Sequence, residues 1–348
     1  GLILNVVSYL AIILLVTWEQ NYLLALGIGT VTEVVLNIWI SWYVEQKYPF
    51  LRQRRKEKST SSLTKRIVRD LKSLFISRIS EKMLYCTDNL IISGFIGVGT
   101  VGRYANYCMI TQAISNILTI LANTIQPTVG DYFTEKNRQR NYEILRQLTF
   151  GFFCIASVVS VGLFSLITPF VRDIWLGPSY ELGWGITVFC IVVLLVRIMG
   201  LPLSLVMGVT GLFEKEKNVG ASSALLNLIV SLALVKPYGM AGVLLGTLLS
   251  YLLQILYRYI IYFRDFLEMP GEALRYAQDI GEYLAVIAGE VLLMQKIVPL
   301  IYGAGGMLLF CVCFLLCIAI PLLLDLVIFG RGWRLQSIVT MVKGMRKA

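Results

Sequence analysis

Apolar residues run along this chain in blocks about 20 residues long, parted by short polar breaks. Within a block the apolar positions do not alternate with polar ones. The blocks fall at 2–18, 22–43, 72–97, 104–130, 147–170, 184–209, 219–235, 240–263, 281–301 and 305–328. A helix of roughly 20 apolar residues crosses the hydrocarbon core of a bilayer, whereas a barrel strand needs only about ten residues and alternates. Backbone facing lipid must satisfy its own hydrogen bonds, so each block predicts a helix. The expected fold is therefore an all-α polytopic membrane protein with about ten transmembrane helices. The widest break is 44–71, which holds "YPFLRQRRKEK" (48–58) and a Ser/Thr cluster from Ser59 to Thr64, and it reads as a basic linker between two helix bundles.

Composition agrees with a lipid solvent. Apolar types make up 57% of the 348 residues and charged types 15%, against roughly 25% charged in a soluble domain. The net charge of +10 is placed asymmetrically. The breaks 44–71, 131–146, 211–218, 258–280 and 329–348 together hold 23 Lys and Arg, while the alternate breaks hold only Arg103, Arg172 and Lys236. Positive charge accumulates on the cytoplasmic side, so both termini are expected in the cytoplasm, as in a multi-pass inner-membrane protein. The tail from Trp333 to Met345 places Leu335, Ile338, Val339, Met341 and Val342 among basic residues. That pattern suits an amphipathic helix on anionic inner-leaflet lipids, the alternative being a solvated basic tail. With no soluble module present, no nucleic-acid partner is expected.

Little in the chain suggests a cofactor or a metal. There is no His, which argues against a zinc site or a His proton relay. All seven Cys lie in apolar runs, as small buried hydrophobes do. The first block has no basic leader and no small-residue cleavage site. The chain opens on Gly rather than Met, which reads as a fragment.

Candidate chemistry lies in charges at bilayer depth, which are costly unless they face protein or a wet cavity. They concentrate in 72–97, which carries Arg78, Glu81, Lys82, Asp88 and Asn89. Arg78 and Lys82 are four apart and share a helix face. They read as a cationic stripe on a cavity wall, or as part of an interhelical ion-pair network. Glu33, Arg197, Glu290 and Lys296 are single charges in other blocks, Glu33 and Arg197 being the deepest, and Asp325 falls near a block end where an interfacial place is expected. Substrate-binding candidates are thus Arg78, Lys82, Asp88, Asn89, Glu33 and Arg197, with no catalytic and no metal residue. Gly242 and Gly246 form a GxxxG that permits close helix approach. Pro202 is expected to kink its helix. The Gly-rich "GFIGVGTVG" (94–102) lacks the Lys-Ser/Thr of a phosphate loop and reads as a turn.

Several stretches resemble a known family. "TDNLIISGFIGVGTVGRYANY" (87–107) is similar to the junction between the seventh and eighth spans of bacterial polysaccharide flippases, the oligosaccharidyl-lipid exporters of the MATE-like superfamily. Asp88, Asn89, Tyr104, Asn106 and Tyr107 carry that likeness. "NVVSYLAIILL" (5–15), "YPFLRQRRKEK", "IWLG" (174–177), "GLFEKEK" (211–217) and "ALLNLIVSLALVKPYGMAGVLLGT" (224–247) resemble the same family. The resemblance implies a MATE-like bundle with residues 1–43 as the remnant of an N-terminal lobe that lacks its first four helices. It implies a basic cytoplasmic linker at 44–71, a six-span C-terminal lobe at 72–263, and two extra spans with a basic tail at 264–348. Because the family's V-shaped cavity needs both lobes, the chain as it stands is expected to lack part of it.

The resemblance also implies a function: flipping of undecaprenyl-diphosphate-linked oligosaccharide repeat units to the outer leaflet for surface polysaccharide, beside a polysaccharide polymerase and glycosyltransferases. A cationic stripe suits the diphosphate, and alternating access suits two rocking lobes. The rivals are a cation-coupled drug exporter, a lipid II flippase, a membrane-embedded polysaccharide polymerase and a non-catalytic scaffold. The buried Arg and Lys oppose cationic drugs, and the short external connections oppose a polymerase, so no enzyme activity is expected.

Overall fold

The computed structural model describes residues 22–48, 86–133, 137–303 and 305–330, with isolated positions before 22 and between 68 and 79. The chain divides into two compact units, Gly1–Ile67 and Val68–Ala348.

In the first unit one long helix is described, α1 (Tyr22–Lys47). Its 26 residues span about 39 Å at 1.5 Å per residue, enough to cross a bilayer. It closes on Lys47, a cation in its last turn, where the helix dipole favours one.

The second unit opens, in its continuous part, with a helical segment at 86–95. It ends at Gly97, whose φ of 126° is a backbone state that residues with a Cβ avoid. The predicted Gly-rich turn is thus a sharp corner, and α2 (Val98–Tyr132) starts at once behind it, six residues earlier than the apolar pattern suggests. α3 (Arg138–Pro169) begins on Asn137, whose side chain accepts the Arg140 N–H at 3.0 Å. A π-turn, Phe170–Trp175, extends it. α4 (Trp184–Thr210) runs on as helix through Pro202. α5 (Phe213–Tyr238) and α6 (Met240–Ile260) form a hairpin around Gly239. α7 (Pro270–Tyr302) and α8 (Met307–Phe329) follow. Among the described residues, seven helices are long and apolar enough to cross a membrane. The protein is an all-α polytopic membrane protein.

Packing groups these helices into one core. α4 contacts α2, α3 and α6, while α3 also meets α7 and α8. The largest enclosed side chains are aromatic: Tyr107, Tyr142, Tyr262, Tyr283, Phe150 and Phe153. Phe153 stacks on Tyr283 at 4.5 Å and meets Phe329 edge-on at 5.5 Å. Such pairs stabilise beyond area burial and need no hydrophobic gradient between helix and lipid.

Several helices outrun their apolar blocks. α3 starts at Arg138 and α7 at Pro270, although the sequence places both stretches in polar connections. The reason is mutual support. The Arg146 guanidinium on α3 grips the Asp279 carboxylate on α7 with two bonds, Nε to Oδ2 at 2.6 Å and Nη2 to Oδ1 at 3.0 Å. The other end of the same helix pair is tied as well, where the Tyr302 hydroxyl donates to Asp173 at 3.1 Å and Arg172 pairs with that carboxylate at 2.8 Å.

Candidate functional site

Two polar arrangements stand out in the second unit, one buried in its core and one half-buried to exposed along α2. The first surrounds Asp88. The hairpin α5–α6 is built from small and polar residues on its inner face. Ser223, Asn227 and Ser231 recur every fourth residue on α5, and all three are buried. Opposite them on α6 stand Gly242, Gly246, Thr247 and Ser250, also buried. A Cβ at Gly242 would land on the backbone carbonyl of Leu234, and one at Gly246 on the Ser231 hydroxyl. The GxxxG thus does what the sequence suggests: it lets two backbones touch. Ser231 then donates across to the Val243 carbonyl at 3.2 Å.

Asp88, on the segment 86–95, inserts its carboxylate at the edge of this interface and is 4% exposed. Thr247 Oγ1 donates to its Oδ2 at 2.7 Å, and Asn227 Nδ2 reaches its Oδ1 at 3.5 Å while also donating to Thr247 at 2.9 Å. Three helical stretches therefore meet at one carboxylate. Buried polar groups of this kind lose most when one partner is removed. Thr247→Val should lower the stability of the detergent-solubilised chain by about 1–2 kcal/mol, read as a lower melting temperature. Thr247→Ser keeps the hydroxyl and should stay close to the parent.

The second arrangement runs along α2. At 100° per residue, Gln112, Asn116, Asn123 and Gln126 fall on one face, next to the buried face marked by Tyr104, Ser115, Leu118, Ala122 and Val129. The exposed apolar side chains Ile117 and Ile120 point elsewhere. Gln112 donates to Asn116 at 2.7 Å, and Gln126 packs against Gly208 of α4, where a Cβ would strike its amide. From α4 the half-buried Arg197 donates to Gln112 Oε1 at 3.3 Å, with its guanidinium 5.3 Å from the centre of the Tyr251 ring on α6. That ring is a face a cation favours. The result is a row of side-chain amides joined to one guanidinium, on a helix long enough to cross the membrane.

The other sequence candidates are dispersed. Asn89, next to Asp88, is exposed. Glu33 is exposed on α1 within its own unit. Arg78 and Lys82 lie outside the described residues, as does the tail from Trp333 to Met345. Sequence reasoning singled out charges and so passed over the amide row. The signal was nonetheless present, because four Asn and Gln at helical spacing inside one apolar block are as anomalous in lipid as a charge.

Comparison with known families now adds an independent line. Residues 2–133 match the family described as polysaccharide biosynthesis protein. Over this stretch, less than half of its length, the chain is similar to that family. No curated protein matches the chain. The family match runs from the first apolar block to the end of α2, and so takes in Asp88, the Gly97 corner and the whole amide row.

Proposed function

We propose that this membrane protein is a flippase of polysaccharide biosynthesis. It moves undecaprenyl-diphosphate-linked oligosaccharide repeat units from the cytoplasmic to the outer leaflet of the bacterial plasma membrane. The observation that carries the reading is the amide row on α2 with Arg197 at its side. Sugar hydroxyls are uncharged donors and acceptors, and side-chain amides offer both functions to them. The lipid-linked diphosphate is an anion, which a guanidinium meets with several donors in a fixed fork. Arg78 and Lys82, which share a helix face by spacing, would add charge for the same group. The distribution of Lys and Arg supports cytoplasmic termini, and with them pick-up of substrate from the leaflet where glycosyltransferases assemble it.

The test uses cells whose surface glycan depends on the intact protein. Arg197→Ala is expected to lower surface glycan about tenfold, the loss of about 1.4 kcal/mol of differential binding, with the protein still present in the membrane fraction. Arg197→Lys, which keeps charge without the planar fork, should fall between. Arg78→Ala with Lys82→Ala should lower output in the same assay. Full surface glycan from Arg197→Ala and from the Arg78/Lys82 variant would sink the reading.

A further inference from the structure

A second pair of acids lies apart from the amide row, where α3, α7 and α8 pack together. Glu290 on α7 and Asp325 on α8 are each 3% exposed. Asp325, which lies near the end of its apolar block, is enclosed by neighbouring helices. Ser157 on α3, itself fully buried, donates to Glu290 Oε2 at 2.6 Å. Glu290 Oε1 and both oxygens of Asp325 are buried without a hydrogen-bond partner. The three helices that carry Ser157, Glu290 and Asp325 all pack against one another.

The surroundings supply no countercharge by hydrogen bond or ion pair among the described residues. On α3 the nearest cation along the helix, Arg146, is committed to Asp279. On α7, Lys296 is exposed and falls on a different face from Glu290. On α8 the neighbouring titratable groups are the buried thiols Cys313 and Cys317. Toward the basic end of the bundle the site is floored by the ring cluster of Phe150, Phe153, Tyr283 and Phe329. Ser157 lies one helical turn beyond Phe153, and Asp325 one turn before Phe329, so the acids sit directly above that aromatic layer.

Uncompensated carboxylates in such a place are among the costliest groups a membrane helix can carry. Oxygen ligands suit hard cations, but among the described residues no three His, Cys, Asp or Glu form a cluster, so the carboxylate count falls short of what a divalent ion takes. We propose that Glu290 and Asp325, with the Ser157 hydroxyl, form a binding site for a monovalent cation, a proton or Na+, in the α3–α7–α8 bundle. The site uses none of the residues assigned to the glycan, so its failure and the failure of the flippase reading are separate events.

Infrared difference spectra of the full chain in lipid nanodiscs test this. A protonated carboxyl has its own carbonyl stretch, which vanishes on ionisation. The spectra compare low with high pH in choline salt, and Na+ with choline at one pH. The expected result is a carboxyl band that one or both changes remove, with Glu290→Gln and Asp325→Asn each deleting its own component. A response to pH alone assigns the proton, and a response to Na+ at constant pH assigns Na+. Ser157→Ala should shift the frequency of the Glu290 component, since a hydrogen bond alters the stretch. Identical parent spectra under all conditions would overturn the site, as would a response that both single variants leave intact.

Discussion

Asp279→Ala is expected to be among the most damaging single substitutions in the second unit, lowering stability by roughly 3–5 kcal/mol. The Arg146–Asp279 pair has the bidentate form in which the guanidinium and carboxylate planes satisfy each other. Its side chains are 22% and 9% exposed, so water does little to replace a lost partner. Removing the carboxylate leaves Arg146 desolvated between α3 and α7, with the pull on Asp279 gone. The attraction of Arg146 to the Tyr142 ring at 5.6 Å offsets only a part, since such contacts contribute about 1–2 kcal/mol. Replacing both partners by apolar residues, Arg146→Met with Asp279→Leu, removes the stranded charge and should recover most of the loss. Melting of the purified chain reads both variants, and salt should change the parent little, because buried pairs are weakly screened. A double variant as unstable as Asp279→Ala would show that the pair does more than cancel two charges.

The second large effect is expected at Gly242. Here the obstacle to a side chain is backbone, the Leu234 carbonyl of the facing helix, and backbone cannot rotate away as a side chain can. Gly242→Val must therefore push α6 off α5. Overpacking alone costs about 1–3 kcal/mol, and the displaced helix also loosens the Thr247 and Asn227 bonds that hold Asp88. The outcome should be little folded protein recovered from membranes, and even Gly242→Ala should melt earlier than the parent. Gly289→Ala is the control. It lies inside α7 with open space around the added methyl, and Ala is a better helix former than Gly by about 1 kcal/mol, so it should melt no earlier than the parent. Equal behaviour at positions 242 and 289 would mean that α5 and α6 do not touch as closely as described.

The fates of individual residues show how much the chain discloses unaided. The blocks at 184–209 and 305–328 correspond to α4 and α8 within two residues, because hydrophobic length is a local property that lipid reads directly. The blocks at 147–170 and 281–301 understate α3 and α7 by nine and eleven residues at their starts. Those extra turns hold Arg146 and Asp279, which look like loop charges until they meet across 133 positions of sequence. The burial of Asp325 was hidden for a similar reason: nearness to a helix end says nothing about which neighbours wrap it. Asp88 was singled out correctly as an anomaly, but whether it faces a substrate or a hydroxyl and an amide of its own protein is a question of packing. The family likeness read from the motifs at 5–15, 48–58 and 87–107 agrees with the match over residues 2–133.

By itself the sequence determined the solvent, the helical class and the apolar middle of each helix, since each follows from apolar run length and the cost of unpaired backbone in lipid. Only the tertiary structure decided which polar groups meet. It joined Arg197 to the amide row, closed Thr247 and Asn227 on Asp88, and left Glu290 and Asp325 buried with unpartnered oxygens. The physical reason is that partner choice among buried polar groups depends on how helices distant in sequence are rotated against one another, and helical periodicity fixes a face without fixing what that face will touch.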